Sequence, residues 1–316
     1  MGLPVISPRK DPASTKKPMS TPRHPENHPS SATVHPTKRG FKHSWSPTSR
    51  WRTWDSSHIN IWAAKISSTW PASVNLDLTE KKGDREWRIH INVLIVAAHP
   101  DDEVLGCGGN AAGLSAHSDV HIGILGEGIT ARYPSPESAP QNELDRLTAE
   151  AKSAAKVLGA SDVVFGGLPD NRFDSLPLLD IVKTVEGWVD RYKPEIIYTH
   201  HPGDLNVDHG LTYRAVLTAT RPTEGTSVRE IYSFEVASST EWAFQSIEPV
   251  FRPNTFVDIT ATIDRKIQAL QAYKSEVRPF PHPRSPETLR SMARRWGSVS
   301  GTEYAEAFEL VRSIRR

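Results

Sequence analysis

The chain has 316 residues, 38 Lys+Arg against 37 Asp+Glu, 37% hydrophobic residues and a mean hydropathy of −0.47, a length for more than one average domain and fewer than three. Balanced charge argues against a nucleic-acid binder that works through phosphate contacts alone. No run of about 18 apolar residues is present to form a transmembrane helix, and a single cysteine, Cys107, excludes an intramolecular disulfide and a cysteine-built zinc cage.

The averages hide a boundary. Residues 1–50 hold nine of the 25 prolines and nine Lys/Arg against two Asp/Glu, a net of +7; the other 266 residues carry 29 positive and 35 negative side chains, a net of −6. Such a basic, Pro/Ser-rich stretch has too little apolar area to offset its ordering entropy and is expected to be disordered. It lacks the apolar core of a secretory signal, and its prolines oppose the amphipathic helix of a transit peptide. Residues 51–90 contain five of the nine tryptophans, Trp51, Trp54, Trp62, Trp70 and Trp87, at spacings that fit neither helix nor strand; an irregular leader is expected. Methionine occurs at positions 1, 19 and 292 and the patterned domain, 91–316, begins abruptly at Ile91. An initiation codon near Ile91 would leave 1–90 untranslated, which a peptide from 1–50 in the mass spectrum of the native protein would overturn.

From residue 91 the pattern is regular. The apolar run 92–98 (NVLIVAA) reads as a buried parallel strand. A polar cluster follows at 99–103, then Gly106, Gly108 and Gly109. Residues 120–125 form a second strand, 137–158 a helix with Leu144, Leu147, Ala151, Ala154, Ala155 and Leu158 on one stripe, and 162–165 a short strand. A helix over 176–192 ends before Pro194, and 195–199 (EIIYT) is a strand that runs into a second polar cluster, 200–209. Helices are expected over 211–219, 263–273 and 302–312, with Tyr304, Phe308 and Val311 inward in the last, and strands over 229–236 and 255–258. Strands alternating with helices predict an α/β fold with a mainly parallel sheet. Both polar clusters then lie at the carboxyl ends of strands, where such sheets bind ligands.

The first cluster offers His99, Asp101 and Asp102; the second offers His200, His201, Asp204, Asn206, Asp208 and His209. A catalytic zinc takes three His or carboxylate ligands and keeps one position for water, whose pKa falls to about 7. Spare carboxylates could act as general base or orient the ligands. Either cluster alone also reads as an ordinary turn. Two of them, each after a buried strand, favour a site, because acids stacked at a strand end are costly without compensation. The glycines at 106, 108 and 109 admit a phosphate cradle, without a GxGxxG fingerprint to support it.

AHPDDEVLGCGG (98–109) after a short strand, followed about 110 residues later by HPGDLNVDH, resembles the PIG-L/LmbE-like zinc-dependent de-N-acetylases. The likeness runs over 91–316 and takes in GEGITARY (126–133), LPDNRFD (168–174), SSTEW (238–242) and PHPRS (281–285). It implies a Rossmann-like fold with helices flanking the sheet and one Zn2+ per chain held by His99, Asp102 and His209. Asp101 is then the general base, with Asp208 beside the last ligand. Several members of the family have a histidine where this chain has Asn206; an amide can donate to an oxyanion but cannot deliver a proton at neutral pH. The general acid is therefore Asp101 itself, His201 or His282.

Arg132, Arg284 and His282 are the candidates for substrate contact, the arginines through sugar hydroxyls or a phosphate; surface arginines and a rigid loop are the plainer readings. Glu103 is expected to cap the following helix, and Cys107 to be a small buried residue. The resemblance implies removal of an N-acetyl group from an amino sugar of N-acetylglucosamine type. The alternatives are another N-acyl group on a glycopeptide, aminoglycoside-like metabolite or nucleotide sugar, a non-catalytic sugar-binding protein, and a dinucleotide-binding oxidoreductase, against which the missing glycine fingerprint counts. The partner expected is a small amino-sugar molecule, with no nucleic acid and no membrane span; a homo-oligomer is left open, and the lack of export signals points to the cytoplasm.

Overall fold

A computed structural model of the chain describes residues 90–315. The segments expected to be disordered (1–50) and irregular (51–90) lie outside the described residues, apart from His90.

Seven strands form one sheet: β1 (Asn92–Ala97), β2 (Asp119–Gly126), β3 (Asp162–Leu168), β4 (Ile196–His200), β5 (Glu230–Phe234), β6 (Thr255–Asp258) and β7 (Ala305–Ser313), in the order β3-β2-β1-β4-β5-β7-β6. The first five in that order pair in parallel, and β7 runs antiparallel to both β5 and β6. Among the described residues, six α-helices flank the sheet: α1 (Asp102–Leu114), α2 (Gln141–Leu158), α3 (Leu178–Tyr192), α4 (Val207–Ala219), α5 (Ile263–Ala272) and α6 (Pro286–Ser300).

The alternation of a strand explains the layering. Along β1, Val93, Ile95 and Ala97 pack into a core with α1, α2 and α5, while Leu94 and Val96 pack into a second core with α3 and α4. Both faces are covered, so β1 is an unbroken apolar run rather than an alternating one. The chain winds from β1 outward through β2 to β3, then returns to place β4 on the other side of β1. The crevice between the ends of β1 and β4 is the topological switch point.

Helix α1 has a kink at Cys107, where the backbone leaves helical geometry at φ −145° and ψ 23°. A buried ion pair stitches the kink. Lys266 Nζ donates to Leu105 O at 2.8 Å and to Glu306 Oε1 at 2.6 Å, and the Glu306 carboxylate accepts from the backbone of Gly109 and Asn110 at 2.9 and 2.7 Å. The glycines here serve close packing rather than a phosphate: a Cβ on Gly106 would fall 2.2 Å from the Phe234 ring, and one on Gly109 2.8 Å from Ile259. Phe234 is fully buried and cannot yield. Gly106→Ala is therefore expected to destabilise the protein by about 1–3 kcal/mol through overpacking, read as a lower Tm in a thermal melt.

The C-terminal end differs from the sequence expectation. Residues 302–312 do not form a helix; strand β7 occupies Ala305–Ser313. The positions of Tyr304, Phe308 and Val311 suit a helical stripe, but pairing on both sides with β5 and β6 decides the conformation, since strand preference follows neighbours more than residue type. The sequence pattern predicts no helix at α6. Its signals are local: the Ser285 Oγ cap accepts from Thr288 N at 3.1 Å, Pro286 opens the first turn, and Gly301 closes the helix at φ 80°. Helix α2 begins at Gln141, four residues later than its periodicity predicted, after a short 3-10 turn over Pro136–Ser138.

Candidate active site

Both polar clusters meet at the switch point. The backbone N–H of Ala98, just past β1, donates to Nε2 of His200 at the end of β4 (2.8 Å). This bond fixes the two loops relative to each other. His99, Asp102 and His209 then converge, with their candidate ligand atoms all within 4.8 Å of one another. Asp102 Oδ2 lies 3.4 Å from His99 Nδ1 and 3.2 Å from His209 Nε2. The same oxygen accepts from His99 N at 2.9 Å, which turns the carboxylate inward at the start of α1.

The remaining nitrogen of each imidazole faces another buried acid. His99 Nε2 donates to Asp208 Oδ2 at 3.0 Å and lies 3.4 Å from Asp170 Oδ1; His209 Nδ1 lies 3.1 Å from Asp204 Oδ1. The acids are themselves held. Asp208 accepts from Phe173 N at 3.0 Å, and Asp204 accepts from Thr240 Oγ1 at 2.6 Å and from Ser239 Oγ. His200 stacks on His209 with ring centroids 3.9 Å apart. An imidazole backed this way has its tautomer and orientation set for a metal on the other nitrogen.

Electrostatics agree. Burial works to lower the pKa of His99, but Asp102 and Asp208 reverse it and raise it to about 10. At His209 burial is likewise overcome, by Asp102 and Asp204, and the pKa rises to about 9. Burial and the neighbouring His209 hold His200 well below its usual value, consistent with its accepting the Ala98 N–H as a neutral ring. The cluster thus contains more buried negative charge than its own residues balance. A divalent cation on the three inward atoms would supply the missing charge, so the donor set fits a metal. Two nitrogens and one carboxylate oxygen suit zinc, and also iron, cobalt or nickel.

Asp101 stands beside this trio in unusual backbone geometry, φ 105° and ψ −27°, where a residue with a Cβ is strained. Its N–H donates to Glu103 Oε2 at 3.1 Å, so Glu103 serves the helix start as expected, and Tyr273 Oη donates to Glu103 Oε1 at 2.6 Å. Asp101 Oδ2 accepts from Arg284 Nη1 at 2.7 Å. Burial pushes the Asp101 carboxyl well above the ordinary range, and the Arg284 guanidinium opposes that push.

A cleft of about 340 Å3 opens over these residues. Arg132 and Arg284 line it with the buried Glu276 between them: Arg132 Nη2 donates to both Glu276 oxygens, at 2.6 and 2.8 Å, and Arg284 Nη1 to Oε2 at 3.1 Å. Asn206 also lines the cleft. Its Oδ1 caps α4 by accepting from Asp208 N (2.9 Å), and its Nδ2 donates one proton to Asn171 Oδ1 (2.9 Å).

His282 is not among the lining residues. Its Nδ1 accepts from Arg284 N at 3.1 Å and its ring packs against Trp242 at 5.7 Å, on the rim. His201 turns away from the cleft, with one nitrogen 2.6 Å from Pro249 O and the other 3.0 Å from Glu309 Oε2. Cys107 is buried, and burial pushes its thiol well up, as befits a packing residue. Sequence reasoning passed over Asp170, Tyr273 and Glu276. Asp170 had a signal, a Pro-Asp turn after a strand; Tyr273 and Glu276 had none.

Residues 94–220 match the family model described as GlcNAc-PI de-N-acetylase, PIG-L. An uncharacterized deacetylase of Escherichia coli K12, YaiS, is 28% identical over 189 residues, which cover 58% of this chain and 90% of that protein. A diacetylchitobiose deacetylase of Thermococcus kodakarensis is 27% identical over 231 residues, 70% of this chain and 84% of that one. Among solved structures, the 4-carboxy-2-hydroxymuconate hydratase GalB of Pseudomonas putida KT2440 is similar with a TM-score of 0.56 at 23% identity, over 72% of this chain and 98% of that chain, a likeness of fold alone. One fold carries more than one chemistry, so the reaction must be argued from the site. The matched residues begin in β1, end just past α4 and contain His99, Asp101, Asp102 and His209: over residues 94–220 the chain is similar to the PIG-L family.

Proposed function

We propose that the protein is a metal-dependent hydrolase that removes the N-acetyl group from an amino sugar of N-acetylglucosamine type. The observation that carries this reading is the His99, Asp102 and His209 trio at the switch point, each imidazole backed by a buried acid, with the strained Asp101 beside it. One zinc ion per chain on these three residues would, when bound, lower the pKa of its water and polarise the acyl carbonyl.

The rest of the reaction falls to the chain. Asp101 accepts a proton from the attacking water and returns it to the leaving amine, acting as base and then acid. Burial favours the protonated carboxyl, and the positive Arg284 beside it works against that, toward the ionised form a base needs. Asn206 keeps an amide proton beyond the one given to Asn171 and can donate it to the developing oxyanion. His201, engaged at both nitrogens, takes no part. The cleft volume lies toward the small end of ligand sites, which run from about 300 to 1,000 Å3, and suits a compact polar ligand. The deacetylase names of the two curated relatives support the acyl group and, for one of them, an acetylated amino sugar.

A second reading within the hydrolases is favoured by the rim. Trp242, Phe244 and Phe280 are 40%, 78% and 66% exposed, on loops that also carry the cleft residues Ser238, Ser239 and Arg284. Apolar side chains at a polar mouth suit a substrate with an apolar portion, as in a glycopeptide. No helix among the described residues is long and apolar enough to cross a membrane.

The test begins with elemental mass spectrometry of protein purified without added metal, followed by acetate release from N-acetylated sugars and glycopeptides with and without a chelator. About one zinc per chain and chelator-sensitive release are expected. No divalent metal bound, and none taken up on reconstitution, would favour a sugar-binding protein without catalysis and remove the mechanism.

A further inference from the structure

We propose that Arg284 is a positioning residue that aims the Asp101 carboxylate, and that Glu276 holds it in place to do so. The inference rests on the reading of Asp101 as the general base.

The argument starts from the backbone. A non-glycine residue at φ 105° persists only where its surroundings over-determine it. Asp101 is tied on two sides by one stretch of chain, the connection that follows α5 and leads into α6. On the backbone side, Tyr273 Oη donates to Glu103 Oε1, and Glu103 Oε2 accepts the Asp101 N–H. On the side-chain side, Arg284 Nη1 donates to Asp101 Oδ2 at 2.7 Å. Arg284 is not a loose surface arginine. Its Nε donates to Ser238 Oγ at 2.8 Å and its Nη1 also reaches Glu276 Oε2 at 3.1 Å. Glu276 is 3% exposed, and its carboxylate is shared with Arg132 and Ser275. A planar guanidinium held at two edges has little freedom, so the carboxylate it grips has little freedom either.

The geometry also distinguishes the two oxygens of Asp101. Oδ2 is taken by Arg284, and Oδ1 makes no hydrogen bond among the described residues. The proton from the attacking water therefore goes to Oδ1, and Arg284 sets where that oxygen lies.

The experiment compares wild type with Arg284→Ala, Arg284→Lys and Glu276→Gln, each first checked for fold by thermal melt and for metal by elemental mass spectrometry. Arg284→Ala is expected to keep its metal and lose roughly 100-fold in kcat with KM nearly unchanged, the scale of a misplaced reacting group. Added guanidinium ion should restore part of that loss, and should do nothing for Asp101→Asn. Arg284→Lys, which keeps the charge without the fork, and Glu276→Gln, which loosens the grip, should each lose on the order of tenfold. A kcat within twofold of wild type in Arg284→Ala would overturn the proposal. So would a loss confined to KM, which would make Arg284 a substrate contact, or a loss of metal that guanidinium does not repair. A wild-type enzyme that releases no acyl group from any substrate would instead count against the hydrolase reading. The positioning claim then rests on crystal structures: in Arg284→Ala the Asp101 carboxylate should leave its wild-type position while His99, Asp102 and His209 stay, and an unmoved carboxylate would refute it.

Discussion

Asp101→Asn is expected to lower turnover by about 10³-fold or more while the protein keeps its metal, a loss in the range attributed to a general acid–base group. The substitution keeps size and shape. Arg284 can still donate to the amide oxygen, and the Asp101 N–H can still reach Glu103, so the strained turn should survive. What is lost is the ability to accept a proton. The three candidate ligands do not include Asp101, so metal content measured beside turnover separates the roles. Loss of both would place Asp101 among the ligands. Retained turnover would move the base elsewhere.

The second large effect is on the metal itself. His99→Ala should weaken zinc binding by more than about 100-fold, because altering groups that merely orient a ligand already costs about 10–100-fold. His99 also separates three acids: Asp102 lies on its Nδ1 side, Asp208 and Asp170 on its Nε2 side. Without the ring, the three carboxylates share a buried space with no group between them, so a lower Tm should accompany the lost affinity. Competition with a chromophoric chelator gives the affinity. Asp208→Asn, which leaves the three ligands in place, should fall in the 10–100-fold range. Full occupancy in His99→Ala would remove His99 from the ligand set.

The sequence made the centre of the fold legible because the centre is local. The apolar run of β1 and the EIIYT of β4 are buried on both faces, and the polar residues after each announce the carboxyl edge of a parallel sheet. What ties the two clusters together is a hydrogen bond from the Ala98 N–H to the His200 imidazole, which no spacing reveals. The edge of the sheet was less legible. Tyr304 and Phe308 are four residues apart, a helical interval, and only the pairing of Phe308 with both Phe234 and Thr255 makes the segment a strand. Glu276 shows the same limit within the site. It lies in an irregular connection with no periodicity around it, and its long-range partners are Arg132, far upstream in the chain, and Arg284, downstream. Asn206 stands out in the sequence for what it replaces in the second motif of the family the chain resembles; its cap on α4 follows only from the fold, where its side chain accepts from Asp208 N.

The place of β7 in the sheet has a consequence for synthesis. A polypeptide leaves the ribosome N-terminus first, so β1 to β5 and all three candidate ligands, His99, Asp102 and His209, emerge before residues 305–313. Until those residues arrive, β5 shows a bare edge, β6 has no neighbour, and the backbone amides of Gly109 and Asn110 lack the Glu306 carboxylate. At about 5–20 residues per second, the roughly 70 residues between β5 and β7 take about 4–14 s to translate. During that window the nascent chain presents an unpaired strand edge to its neighbours on the polysome. The half of the domain that carries the candidate site is thus made early and closed late.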